Sequence, residues 1–204
     1  MALLNLKRPQ NISSGVGEYV LLAPIDFFSS IKYPVGPHTT PGDEVTIKQT
    51  HLFKDGYGWL RFQLAPEKND FNASTIGDKG FQKLSKQLNI VIPGSYAEAH
   101  EVMKNLLNTP LIAISPDSNC ASGIFYQLGT ECVPAYMEHD FTTGTTRDGI
   151  KGYTARITST LGFVQIYTGE PTPELTEPVL PKVLLTELEE VITDESGDAI
   201  EYEG

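Results

Sequence analysis

From residue 111 to residue 167 turn residues cut the chain into five short segments of strand character: 111–115, 124–128, 132–140, 153–160 and 163–167. The punctuation falls at Pro116-Asp117-Ser118-Asn119, Leu128-Gly129-Thr130, Thr143-Gly144-Thr145 and Asp148-Gly149. Strands this short and this regularly spaced predict a sandwich or barrel. Only one stretch carries a clear helical period. Ser95 precedes Glu98 by three positions, as in a capping box, and Ala99, Val102, Met103, Leu106 and Leu107 follow at helical spacing. Asn108 and Pro110 end it. The expected fold is mainly β: a β-sandwich or barrel-like body with one flanking α-helix and a long β-hairpin, plus an acidic C-terminal extension.

The long hairpin is assigned to residues 44–53 and 58–65, joined by Lys54-Asp55-Gly56-Tyr57. With Asp55-Gly56 as the turn, residue 53 faces 58, 51 faces 60, 49 faces 62 and 47 faces 64. One face then carries Val45, Ile47, Gln49, His51, Phe53, Leu60, Phe62 and Leu64. The other carries Thr46, Lys48, Thr50, Leu52, Trp59, Arg61, Gln63 and Ala65, too polar a set for a core. Upstream, Tyr19-Val20-Leu21-Leu22-Ala23-Pro24 reads as an apolar strand, residues 1–17 as a polar arm, and residues 29–43, with three prolines and two glycines, as a loop. Residues 66–80 read as a polar loop and 81–92 as a strand with some helical character. Residues 182–203 are compatible with a helix or with a hairpin around Glu195-Ser196-Gly197-Asp198.

Charge divides the chain. The formal net charge is -11. Residues 170–204 hold eleven acidic side chains and one basic one, Lys182, whereas residues 1–169 hold 15 acidic and 14 basic. Two domains are therefore expected: a nearly neutral body over 1–169, and a Pro-rich linker with an acidic extension over 170–204. The acidity argues against a grip on nucleic-acid phosphates. No apolar run approaches the roughly 20 residues of a membrane span, and the N-terminus lacks the charged region and cleavage site of a signal peptide. Two cysteines do not make a disulfide framework, so free thiols in a reducing cytoplasm are expected.

Catalytic patterns are missing from the sequence. It has no G-x-S-x-G, and Gly15-Val16-Gly17 neither follows a strand nor opens a helix. Asp55, Asp117 and Asn119 read as turn residues, outside any calcium-loop spacing. Cys120, Cys132 and His139, with Asp140, form the best candidate metal set, but their spacing matches no zinc module. Buried free cysteines are the simpler reading. Lys79, Lys83 and Lys86 form a mild basic cluster, read as lysines guarding a strand edge. His51 is expected to be a satisfied core histidine. Trp59, on the polar hairpin face, points to a contact with another chain or to a loop covering that face. The expectation is a structural or interaction protein, with neither enzymatic activity nor cofactor.

The order of these features resembles that of bacteriophage tail tube proteins, and of tube proteins in contractile injection systems, over roughly residues 8–170. The resemblance runs through Tyr19-Val20-Leu21-Leu22-Ala23-Pro24, the 45–65 hairpin, Ile90-Val91-Ile92-Pro93-Gly94 and the helix closing on Asn108-Thr109-Pro110-Leu111-Ile112-Ala113-Ile114. It continues through Phe125-Tyr126-Gln127-Leu128-Gly129, Val133-Pro134-Ala135-Tyr136, Phe141-Thr142-Thr143-Gly144-Thr145-Thr146 and Lys151-Gly152-Tyr153, to a last strand ending Tyr167-Thr168-Gly169-Glu170. It implies a virion structural protein, made in the host cytoplasm and built into the tail. Subunits would form hexameric rings, and the rings would stack around a channel through which DNA passes without specific binding. The partners implied are further copies of itself and other tail proteins, with no membrane. The polar hairpin residues Thr46, Lys48, Thr50, Arg61 and Gln63 would then line the channel, and Trp59, Tyr33 and Pro34 would meet neighbouring subunits. A weakly charged or acidic lumen is expected of such a channel, which Lys48 and Arg61 do not supply. The alternative is another virion structural protein, a capsid decoration or a head–tail joining protein. A third reading is an enzyme or binding module around Cys120, Cys132 and His139.

Overall fold

The computed structural model describes residues 15–37, 39–118, 123–145 and 149–175. Expectations for the N-terminal arm before Gly15, for Cys120 and for the acidic extension beyond Leu175 lie outside the described residues.

Two strands build the centre. β1 (Tyr19–Pro24) and β8 (Leu111–Pro116) are apolar at nearly every position, and both are buried almost throughout. Such a run has no polar face to offer water, so both of its faces must be covered. The register pairs Leu22 with Ala113 and Leu21 with Ile114. Val20, Leu22, Leu111 and Ala113 thus face one core, and Leu21, Ala23, Ile112 and Ile114 face another. Around this pair the chain lays β5 (Leu60–Gln63), β9 (Phe125–Leu128), β12 (Gln165–Tyr167) and β3 (Thr46–Ile47), giving a six-stranded sheet in the order β3-β12-β9-β8-β1-β5.

The second sheet has four antiparallel strands in the order β10-β11-β7-β6: β10 (Tyr136–Thr142), β11 (Gly152–Leu161), β7 (Lys83–Pro93) and β6 (Asp70–Ile76). These strands alternate. Leu88, Ile90 and Ile92 of β7, with Tyr153, Ala155 and Ile157 of β11, point into the first core, and the residues between them do not. The two sheets are stitched at their corners. Leu111 and Ala135 exchange backbone hydrogen bonds of 2.8 and 2.9 Å, and the Ala65 N–H donates to the Val91 carbonyl at 2.8 Å. The helix α1 (Ala97–Leu106) buries Met103 and Leu106 in the same core. His100, His139, Phe141 and Tyr153 hold it to the four-stranded sheet through ring contacts of 4.9–5.5 Å, a His100–Tyr153 hydrogen bond and a 3.0 Å bond from His139 Nε2 to the Met103 carbonyl.

The second core lies on the far face of the six-stranded sheet. β2 (Phe28–Ser30) and β4 (Leu52–Phe53) form a small two-stranded sheet over it. Between them sits an aromatic group: Phe28, Phe53 and His51 all have ring centroids 5.3–6.0 Å from that of Trp59.

The mainly β architecture with one flanking helix stands as expected, and the hairpin location does not. Residues 44–65 do not pair with themselves. β3 pairs with β12 in parallel, β4 with β2, and β5 with β1. The Asp55-Gly56 turn does form: the Tyr57 N–H donates to the Lys54 carbonyl at 3.1 Å, and Gly56 takes a left-handed φ of 79°. It joins strands that belong to different sheets. The doubly buried β1 needs a neighbour on each side, and β5 supplies one of them. The long hairpin is instead β6–β7, which pairs Asp70 with Asn89 through to Ile76 with Lys83. Its first strand lies within the predicted polar loop 66–80. β6 presents only Phe71 to the core region, stacked at 4.9 Å on Tyr126, so its sequence carries little hydrophobic alternation. The capping box is also absent: Tyr96 is the N-cap, and no side chain caps the helix.

Candidate functional site

Two arrangements of polar groups and one apolar cleft stand out, and the residues proposed from sequence fall among them differently from expectation.

The first is the outer face of the four-stranded sheet. Register places Asp70, Asn72 and Ser74 of β6 beside Asn89, Gln87 and Ser85 of β7. Arg156 and Thr158 of β11 lie beside Asn89 and Gln87, and Glu138 and Tyr136 of β10 beside Arg156 and Thr158. This is a continuous polar surface. Asn89 Nδ2 donates to both Asp70 oxygens at 3.2 Å, Asn72 Nδ2 also donates to Asp70, and Gln87 Nε2 donates to Asn89 Oδ1 at 2.6 Å. Its charged members are Asp70, Lys83, Glu138, Asp140 and Arg156, a slightly acidic balance. Among the described residues β6 and β10 are the sheet's outer strands, each paired on one side only.

The proposed channel-lining set is not a face. Thr46 lies in β3. Lys48 donates from Nζ to Asp43 Oδ1 at 2.7 Å. Thr50 Oγ1 accepts from the Glu170 N–H at 3.1 Å. Arg61 and Gln63 belong to β5, where Arg61 pairs with Glu174 at 2.8 Å and its guanidinium lies 4.1 Å over the Tyr19 ring. These residues were grouped by a hairpin register that the doubly buried sheet overrides.

The proposed subunit contacts are corrected in part. Trp59 is 1% exposed, at the heart of the second core. Its covering comes from this chain: the Trp59 N–H donates to the Pro173 carbonyl at 2.9 Å, and the Leu175 N–H donates to the Trp59 carbonyl at 2.8 Å. Residues 170–175 therefore belong to the body rather than to a linker. Tyr33 and Pro34 are half-buried, and the Tyr33 hydroxyl donates to Glu131 Oε2 at 3.2 Å. Burial pushes the Tyr33 hydroxyl's pKa up. The large apolar side chains left exposed are others, foremost Phe81 at the tip of the β6–β7 hairpin and Val35 in the 31–42 loop. Asp43 organises the end of that loop. Its carboxylate accepts from Lys48 Nζ, from Thr40 Oγ1 and N–H, and from the Thr39 N–H. The Lys48 bond and then the Thr40 bonds hold its pKa well below the usual carboxylate range.

The second arrangement is a buried polar chain. His51 is 1% exposed, as expected of a core histidine. Its Nδ1 accepts from the Lys32 N–H at 3.0 Å, so Nε2 carries the proton and donates to Gln127 Oε1 at 3.0 Å. Gln127 Nε2 passes a bond on to the Gly129 carbonyl at 3.2 Å. Desolvation lowers the His51 pKa, and the Gln127 bond opposes this only in part. Lys86, read from sequence as an edge lysine, is instead wholly buried on an interior strand. It reaches Gln165 Oε1 at 3.2 Å and the Gln127 carbonyl at 3.3 Å, and desolvation lowers its pKa to about 8. Position 86 shares the inward parity of Leu88 and Ile90, the signal in the sequence that could have revealed it.

The third is a cleft of about 440 Å³ between β5 and α1, lined chiefly by apolar side chains. As for the metal set, Cys132 is a free, exposed thiol, and His139 Nε2 is engaged by the Met103 carbonyl. Among the described residues no three His, Cys, Asp or Glu side chains are grouped as metal ligands would be. No described helix is long and apolar enough to cross a membrane.

A scan of protein-family models found none that matches the chain, and searches of curated proteins and of solved structures gave no significant match.

Proposed function

We propose that this chain is a structural subunit of a phage tail tube, one that assembles through the edges of its four-stranded sheet into rings and stacked rings around a channel. The observation that carries this reading is a sheet apolar on its inner face, polar on its outer face and, among the described residues, unpaired at both edges. Free edges are templates for pairing, and closing such sheets into a ring removes them. In a closed ring the face of Asn72, Gln87, Asn89, Thr154, Arg156 and Glu138 would line the lumen, in place of the residue set chosen from sequence. Amide and hydroxyl groups with a slight acidic balance offer DNA no phosphate-binding stripe, as a passage channel requires. Hexameric symmetry comes from the family resemblance. The 31–42 loop with Val35, and the hairpin tip with Phe81, would supply contacts between rings.

Electron microscopy of the purified full chain at high concentration tests this. Rings or tubes of 6-fold symmetry are expected. Trimers or 12-fold rings would favour a decoration or head–tail joining role, and a strict monomer would count against assembly altogether.

A further inference from the structure

The most exposed of the large apolar side chains among the described residues is Phe81, 85% exposed at the tip of the β6–β7 hairpin. Ile76 is also exposed beside the tip. The turn that carries Phe81 is ordered. The Phe81 N–H donates to the Asp78 carbonyl at 2.9 Å, and Gly77 and Gly80 take left-handed φ angles of 92° and 98°. A Cβ on Gly77 would fall 2.9 Å from the Phe81 carbonyl oxygen, so the two sides of the tip press together. An aromatic ring held out on such a turn loses little backbone freedom when a partner covers it.

The cleft between β5 and α1 offers a matching hollow. Its volume is about 440 Å³, and Leu60, Phe62, Val102 and Met103 line it together with Tyr96, itself 59% exposed. Phe81 cannot reach this hollow in its own chain. β7 runs 11 residues from Lys83, beside the tip, to Pro93 on the cleft wall, roughly 36 Å at about 3.3 Å per residue. The charges at the two ends are complementary. Exposed Lys79 and Lys83 flank Phe81, against Asp78 alone in the turn. The helix walling the cleft carries exposed Glu98 and Glu101, with Lys104 only in its last turn. On the β5 side, Arg61 is already paired with Glu174.

We propose that the β6–β7 tip of one copy seats Phe81 in the β5–α1 cleft of a second copy, with Lys79 and Lys83 against Glu98 and Glu101. A ring buried in an apolar hollow inside a charged rim has the form of an interface anchor. Knob and hollow are different surfaces, so the contact is head-to-tail: each copy gives one and receives one, and the series repeats. They sit at opposite ends of β7, so the series runs along that strand and not across the sheet. Ring closure uses the edges at β6 and β10, and the tip-to-cleft contact therefore joins copies in successive rings. This inference rests on the assembly proposed above and names the surfaces that stack it.

Electron micrographs of full-chain variants, scored for stacks and for single rings, test the contact. Phe81 is exposed, so Phe81→Ser should keep the unaltered unfolding midpoint. It should lower the fraction of stacked rings on the order of 10-fold and leave single rings in place. Glu98→Lys with Glu101→Lys should also reduce stacking, and adding Lys79→Glu with Lys83→Glu should restore it. Undiminished stacks in Phe81→Ser, or no restoration by the charge exchange, would overturn the contact while leaving the sheet-edge rings standing. Rings lost together with stacks would overturn it by placing the tip within the ring. An unaltered chain that stays monomeric would overturn the contact and the assembly together.

Discussion

The two sheets of this protein solve different problems. The six-stranded sheet is covered on both faces, and its central strands β1 and β8 are apolar at nearly every position. The four-stranded sheet is covered on one face, and its strands alternate. Stability should therefore reside mostly in the first sheet. The second has an outer polar face that the core does not use.

The largest expected effect lies at the centre of the doubly buried sheet. Ile114→Ala should cost about 2–5 kcal/mol in denaturant unfolding, whereas Thr154→Ala on the outer face of β11 should fall within about 0.5 kcal/mol. Equal costs would break the contrast between the sheets.

Lys86 comes next, because it places a charge in the core of the sandwich. Its pKa drop from 10.5 to about 8 corresponds to roughly 3 kcal/mol of preference for the neutral amine. Between pH 8 and pH 10 the unfolded chain binds the extra proton, so stability should rise with pH across that window. Lys86→Met should be more stable at pH 7 and should flatten the slope; an unchanged slope would mean that the lysine is solvated. Tyr126 and Tyr167, whose pKa values burial raises above 10, act in the opposite direction at the top of the window.

A smaller effect is expected from His51. Its folded pKa lies below the ordinary 6.5, so stability should fall as pH drops through and below that value, when the unfolded chain takes up a proton that the folded chain refuses. Protonation at Nδ1 would set a donor against the Lys32 N–H. Urea midpoints from pH 7 down to about pH 5 should show this loss, and His51→Gln should reduce it. The smallest effect is predicted for Glu138→Gln and Arg156→Gln on the polar face. Each should shift monomer stability by about 0.5 kcal/mol or less.

The sequence showed the doubly buried strands and the helix plainly, because continuous apolar runs and a 3.6-residue period survive any pairing. Strand partners were another matter. The 44–65 segment has a sound turn and two good alternations, yet alternation says only which side of a strand is buried and not which strand lies beside it. Ile47 pairs with Tyr167 and Phe62 with Val20, contacts far apart in the chain that no local pattern encodes. β6 was missed for a related reason: Asp70 to Ile76 becomes a strand by pairing with β7 and not by its own propensity. The polar face shifted with the pairing, from Thr46, Lys48, Thr50, Arg61 and Gln63 to the outer residues of β6, β7, β10 and β11.

The central claim is that the edges of the four-stranded sheet meet between subunits. Cysteines placed singly on β6 at Asn72 and on β10 at Glu138, in a background with both native cysteines replaced (Cys120→Ser and Cys132→Ser), test it most directly when the two variants are mixed under oxidising conditions and imaged. Disulfide-linked dimers of one copy of each variant are expected, with 6-fold rings in the micrographs. Monomers that never cross-link, in a protein that remains folded, would contradict it.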